Sequence, residues 1–480
     1  MCISVVALTL ILNIIVAAWA ATSFGLSEGV GTIHQGPCHA IKKAGLWLHI
    51  AINILSTTLL GASNYCMQLV CGTYLGDNMT LETYSIDDYD CSILVALSND
   101  TQWIMANQPV EYCLSQVVQD RCRLQFAVPI MIVVLVCNSA KLLCMIITLW
   151  KCGEPTFVTL GDALAGFLEK PDRWTVGMCI SNKLEFLDEK WPDPSALPQR
   201  WSLKRHFRYE AVGLRRFILS NSVCAIAVIS CSISLRFAIA NTTTSSDIVT
   251  LYNIGFGTVS ASSLIRWGAP IFGSPGLMKN VLLANSPQLV LSLLYIIYNR
   301  MYTCMSLSKE WHSLAHKSQS LRVTNPKGSQ RSTYFLSLPY HYSLLILIIS
   351  VSTHWILSQS LFLVAIDVFS LTGTFDASQS ILSCGFSCIA LIFLVGIGWL
   401  VFIIGTAMGF RRYESGMPLA GSCSGVISAA CHPPEDEVDV GEGLVKWGVT
   451  GVERGVGHCS LSSGYVSEPV SWRLYKGNGG

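Results

Sequence analysis

Seven stretches of this chain are long and apolar enough to cross a membrane: residues 2–20, 45–64, 126–150, 217–240, 281–298, 342–366 and 381–410. A hydrocarbon core about 30 Å thick takes about 20 apolar helical residues to cross. In lipid only a helix or a closed barrel satisfies every backbone N–H and C=O internally, and uninterrupted apolar runs of this length are helices. The expected fold class is therefore all-α, a polytopic transmembrane helix bundle of about seven spans. Only 13% of the 480 residues are charged, about half the share of a soluble domain, which fits a surface facing lipid. A net charge of +1 gives no reason to expect a nucleic-acid partner. The partner expected is the lipid bilayer, in the plasma membrane or an endomembrane.

Sidedness follows from the basic residues, because loops rich in Lys and Arg stay cytoplasmic. Residues 151–216 hold eleven of them and residues 299–341 hold six, whereas 65–125 and 241–280 hold two each and 367–380 none. That places the two basic loops and the C-terminal tail inside. Three glycosylation sequons, at Asn78, Asn99 and Asn241, all fall on the loops read as outside. Counting seven spans back from the inside loop puts the N-terminus outside and residues 21–43 inside. The rival for the first stretch is a cleaved signal peptide ending at Ala18-Trp19-Ala20.

Several runs are more specific than hydropathy. Gly31-Thr-Ile-His-Gln-Gly-Pro-Cys38, Trp47-Leu-His-Ile-Ala-Ile-Asn53, Gly61-Ala-Ser-Asn-Tyr-Cys-Met-Gln68 and Gly161-Asp-Ala-Leu-Ala-Gly-Phe-Leu168 are followed by Ala284-Asn-Ser-Pro-Gln288, Gln330-Arg-Ser-Thr-Tyr334, His354-Trp355, Cys431-His-Pro-Pro434 and Gly457-His-Cys459. In these runs the chain resembles a group of fungal polytopic membrane proteins defined by an N-terminal domain of unknown function, over nearly its whole length. The resemblance implies no activity. It does imply an eight-span layout with both termini inside. This chain departs from that layout after Gln68, where relatives continue into a basic loop and a further span. Here an acidic stretch with Asp77, Glu82, Asp87, Asp88 and Asp90 follows instead. In the implied layout Cys38 faces outside, where a disulfide with Cys91, Cys113 or Cys122 is permitted. In the seven-span layout it faces the cytoplasm as a free thiol. The expected organisation is residues 1–68 as a two-span part, 69–125 as an extracytoplasmic acidic loop, 126–410 as a five-span region with basic cytoplasmic loops, and 411–480 as a cytoplasmic tail rich in Gly, Ser and Pro.

Polar residues inside spans are costly and often functional. Lys141 lies well inside the third span, with snorkelling to the interface and contact with a substrate or lipid as its two readings. Pro287 frees backbone carbonyls near Asn285 and Gln288, which suits an ion or solute as well as an ordinary helix end. His49 and Asn53 share one face of the second span, and His354 clusters with Ser358 and Gln359 on the sixth. Interhelical hydrogen bonding and a polar pocket between the second, fifth and sixth spans are both open.

Residues 159–169 carry apolar residues at helical spacing and read as an amphipathic helix lying on the bilayer or the bundle. The mixture of bases and aromatics over residues 200–208 reads as a lipid-facing segment. The tail reads as mostly disordered. Its Cys423, Cys431, His432, His458 and Cys459 are weak metal ligands in no recognisable zinc spacing, and Cys423 or Cys431 could be lipidated. No phosphate-binding loop, nucleophile turn or metalloprotease motif is present. The chain is therefore expected to be a non-enzymatic multi-pass membrane protein without a cofactor. A small-solute transporter or channel is the first alternative, and a seven-span receptor or sensor the second.

Overall fold

The computed structural model describes residues 2–27, 30–37, 41, 43–44, 47–48, 77–80, 104–105, 108–109, 121–151, 159–187, 198–241, 249, 251–252, 255–257, 263–265, 274–334, 338–369 and 375–476. Among these, six helices are long and apolar enough to span a membrane. They are α1 (Cys2–Ser23), α2 (Val128–Lys151), α3 (Leu214–Asn241), α4 (Ser274–Ser313), α5 (Tyr340–Ser360) and α6 (Cys388–Gly409). The fold class is that of a polytopic helical membrane protein. The remaining expected span, 45–64, lies outside the described residues. Helix α1 packs on α2, while α3 lies against α4 and α6, and α5 against α4 and α6, to make a four-helix bundle.

Strands accompany the helices, which hydropathy did not anticipate; among the described residues they form two larger sheets beside two short two-stranded pairs. The larger runs Leu26–Ser27, Val30–Pro37, Arg121–Ala127, Asp77–Thr80, Leu361–Phe369, Phe375–Phe386, Leu264–Ile265. Residues 361–366 and 381–386, expected as the ends of two spans, are strands paired from Leu361↔Phe386 to Ile366↔Ile381. The polar Ser358-Gln359-Ser360 stands at the boundary, but the apolar run that resumes at Leu361 carries no period that separates a buried strand from a helix. The smaller sheet runs Gln199–Arg200, Leu474–Tyr475, Val456–Ser462, Leu444–Glu453, Gln319–Ser320.

The two sheets sort the connections. The larger gathers the segment after α1, the segment before α2, and the α3–α4 and α5–α6 connections. The smaller gathers the α2–α3 and α4–α5 connections with the tail. This is the division that the basic residues mark. One expectation is corrected. Residues 26–37 were placed on the tail's side, yet Val30–Pro37 pairs along its length with Arg121–Ala127, from Val30↔Ala127 to Pro37↔Arg121. Pro37 and Arg121 therefore stand on the same side, opposite the tail, and α1 begins on the tail's side. A layout with one crossing between them, and with the N-terminus opposite the tail, does not fit this register. It fits the eight-span pattern's orientation of α1.

The tail is the second correction. Residues 411–476, expected to be mostly disordered, are folded. Short helices at Leu160–Glu169, Lys183–Leu187 and Ser424–Ala429 close with the smaller sheet over one core of Leu164, Trp201, Trp311, Val445, Trp447 and Leu461, among others. The small residues that suggested disorder allow close approach. A Cβ on Gly425 would sit 2.7 Å from the Phe186 ring, and one on Gly448 would sit 2.6 Å from the Ser467 carbonyl. The helix Leu160–Glu169 lies in this core rather than on lipid, burying Leu160, Leu164 and Leu168. Trp201 likewise packs on Trp447, with ring centroids 5.7 Å apart, so one aromatic of the basic run serves the domain. At 40 residues, α4 is about 60 Å long. It leaves the bundle and inserts Trp311 into the tail-end core, followed just past its end by Leu314.

Candidate functional site

Among the described residues, two polar nodes join helices of the bundle. The first was partly anticipated. His354 on α5 donates from Nδ1 to Gln288 Oε1 on α4 at 2.8 Å. With Nδ1 as the donor, a neutral imidazole presents an unprotonated Nε2. That nitrogen is buried and has no hydrogen-bond partner among the described residues. Pro287 precedes Gln288 in α4 and removes the bond to the carbonyl four residues back. That carbonyl, Leu283 O, accepts instead from Ser286 Oγ at 3.0 Å. The expectation of a freed carbonyl beside Gln288 is corrected accordingly.

The other anticipated pocket residues stand apart. Asn285 donates to Val281 O of its own helix at 2.7 Å. Gln359 donates to Ser358 Oγ at 3.4 Å and reaches across to Gly257, where a Cβ would meet its Oε1 at 2.5 Å. Lys141 is buried on α2 rather than extended along its outer face. His49 and Asn53 lie outside the described residues. Of the sequon asparagines, Asn78 lies on a strand paired on both sides, Asn241 ends α3, and Asn99 lies outside the described residues.

The second node had not been singled out. Buried Asn221 on α3 accepts at Oδ1 from Tyr298 OH of α4 at 3.3 Å and from Thr406 Oγ1 of α6 at 3.0 Å, and donates to Phe217 O at 2.9 Å. One amide thus joins three helices. Its only signal in sequence was an asparagine within an apolar run.

The tail-end domain contains a thiol–imidazole cluster. His458 Nε2 donates to the His432 carbonyl at 2.8 Å. His432 Nε2 meets Thr175 Oγ1 at 2.9 Å, and Thr175 in turn meets Ser428 Oγ at 2.8 Å. Cys179, from the turns between the helices Leu160–Glu169 and Lys183–Leu187, hydrogen-bonds to both Cys459 and His458. The bond from the Cys459 thiol, outweighing burial and aided by His458, holds the Cys179 thiol well below the usual range, and Cys459 is pushed up correspondingly. Burial works against charge on His458, but its bonds to Cys179 and to the His432 carbonyl outweigh this and raise its pKa. Burial, aided by the neighbouring His458, lowers His432 to about 4.

The anticipated metal ligands are only partly brought together. Cys431 is fully buried and bonds to Ile427 O at 3.1 Å, which also removes it from the reach of lipidation. Cys423 begins the helix Ser424–Ala429. Among the described residues no group of three or more His, Cys, Asp or Glu is placed to hold a metal ion. Cys179 was missed because its partners lie far along the chain and a lone thiol in a loop carries no pattern.

Six apolar helices, buried polar nodes between them and sheets gathering their connections define an integral, multi-pass helical membrane protein. The family described as "Domain of unknown function (DUF8419)" matches residues 182–459, more than half of the chain, and the chain belongs to that family. A second description, "Family of unknown function (DUF6536)", matches residues 1–73, ending just beyond Gln68. None of the curated proteins and none of the solved structures compared with the chain matches it.

Proposed function

We propose that this chain is a non-enzymatic membrane protein of the fungal group it resembles, and that its bundle passes a small polar solute or ion. The tail-end domain lies in the cytoplasm, and Asn78, Asn99 and Asn241 carry glycans. One observation supports the transport reading above the others: the buried Nε2 of His354, on the α4–α5 contact beside Pro287, is an acceptor with no partner among the described residues. A buried acceptor left unmade costs about 1–3 kcal/mol, and a solute donating to it would recover that cost. Ionisable groups in this position mark pathways in membrane proteins.

The test is flux. The purified chain in vesicles is expected to pass protons or small ammonium ions, and His354→Ala is expected to abolish that flux while leaving assembly intact. Equal flux through wild type and variant would overturn the reading. A sensor reading draws support from α4, which runs unbroken from Gln288 to Trp311. It predicts ligand-dependent change at Trp311 without flux.

A further inference from the structure

Five hydroxyls are buried on α5: Ser343, Ser350, Thr353, Ser358 and Ser360. Four of them donate to carbonyls of their own helix, Ser343 to Tyr340 O at 3.3 Å, Thr353 to Ile349 O at 2.8 Å, Ser358 to Trp355 O at 2.6 Å and Ser360 to Leu357 O at 2.8 Å. Back-bonding of this kind is how a membrane helix usually satisfies a serine or threonine. Ser350 does not use it. Its Oγ is buried with no hydrogen-bond partner among the described residues, and the same is true of His354 Nε2. The two residues are 5% and 7% exposed. Four positions apart, they stand on one face of α5 with Cβ atoms about 5–6 Å from one another.

We propose that Ser350 and His354 together bind one small uncharged amine, ammonia or methylamine, at the α4–α5 contact; the proposal rests on the transport reading of that contact and names its substrate. His354 Nδ1 is committed to Gln288 Oε1 at 2.8 Å, so Nε2 only accepts. The Ser350 hydroxyl both donates and accepts. A free amine fits this pair, because it offers an N–H to Nε2 and takes a hydrogen bond from Ser350 on its lone pair. A cation does not fit. Among the described residues of the six spanning helices the one carboxylate is Glu310, about 33 Å along α4 from Gln288. A charge beside His354 would thus be buried without a counter-ion, at a cost well above what two orphaned groups recover. An ammonium ion therefore leaves its proton with water on the entry side and crosses as the amine.

Pro287 stands next to Gln288 in α4 and takes one bond out of that helix's ladder. The turns of α4 before it can therefore tilt away from α5. Ser286 Oγ already covers the freed Leu283 carbonyl at 3.0 Å, so tilting uncovers no unpaired carbonyl there. The opening needed is small, since ammonia is close in size to a water molecule, about 30 Å³ in the liquid.

The experiment uses the full chain reconstituted in vesicles, with methylamine as the probe and empty vesicles as the reference. Uptake is followed with and without an inside-negative potassium diffusion potential, for wild type, Ser350→Ala and His354→Ala. Wild-type uptake is expected to make the lumen alkaline and to ignore the potential. Ser350→Ala is expected to raise the half-saturating methylamine concentration on the order of tenfold, as loss of one hydrogen bond would, and His354→Ala to abolish uptake. Uptake accelerated by the potential would mean that the cation crosses, and would overturn the proposal. That measurement needs no variant, so it decides even if Ser350→Ala fails to assemble. Unchanged half-saturation in an assembled Ser350→Ala would also overturn it, while loss of uptake in His354→Ala would leave the transport reading standing. Methylamine uptake at the level of empty vesicles, with a proton flux that His354→Ala removes, would again overturn this proposal alone. Absence of both fluxes would overturn the two together.

Discussion

His432 is held neutral by its surroundings. Its ring meets the Thr175 hydroxyl, its carbonyl accepts a hydrogen bond from His458, and burial lowers its pKa from 6.5 to about 4. A base whose folded pKa is depressed binds fewer protons folded than unfolded between those two values, so the stability it contributes is complete above about 6.5 and falls away towards 4. The tail-end domain is therefore expected to melt at lower temperature as pH drops through that window. His432→Gln is expected to flatten the dependence when melting is followed by tryptophan fluorescence, and an unchanged slope would count against the assignment. At this scale legibility depended on contrast. Gln288 and His354 were visible because each is polar within an apolar run. Asn221 was equally polar, but its partners Tyr298 and Thr406 are ordinary residues in membrane helices, and only the fold brings them to one amide oxygen.

The helix Leu160–Glu169 shows what a local pattern can and cannot carry. Thr159 and Asp162 form a reciprocal capping box, Asp162 N to Thr159 Oγ1 at 3.0 Å and Thr159 N to Asp162 Oδ2 at 2.9 Å. The apolar spacing was legible for the same reason that the helix forms. Where its face would go was not, because a lipid surface and a protein core select the same side chains. Asp162 also accepts from Thr324 N and Thr324 Oγ1, each at 2.7 Å, and so ties the cap to the α4–α5 connection. Loss of a cap costs about 0.5–2 kcal/mol. Asp162→Ala is expected to reach the upper part of that range, measured as a lower melting temperature of the tail-end domain with the bundle helices unchanged by circular dichroism. A variant indistinguishable from wild type would show that these hydrogen bonds add nothing net. The strands Leu361–Phe369 and Phe375–Phe386 failed in the opposite way, since only a few small polar residues separate their apolar residues from those of α5 and α6.

For the molecule as a whole, the connections that basic residues separate from the loop after α2 onward are the ones the two larger sheets separate, because that signal is summed over many residues. It failed at the N-terminus, where there are few charges and the outcome depended on counting crossings. The pairing of Val30–Pro37 with Arg121–Ala127 places the start of α1 and the tail on one side. Epitope tags at the two ends of the chain are expected to share one protease sensitivity in sealed vesicles, both cleaved or both protected. Opposite sensitivities would contradict the strand register.

The smaller sheet takes Gln199–Arg200 and Gln319–Ser320 from early connections and its other three strands from beyond Gly443. A ribosome making this chain inserts the six described helices before those strands exist. Trp201, Trp311 and Leu314 are thus made long before Val445, Trp447 and Leu461, the core residues that cover them. The tail-end domain closes only once Leu474–Tyr475 has been made, and until then the nascent protein shows quality-control factors an unfinished apolar face. A stop codon anywhere before Leu444 would leave that face open permanently, so the strands from Leu444 to Tyr475 decide whether an otherwise inserted protein is kept or degraded.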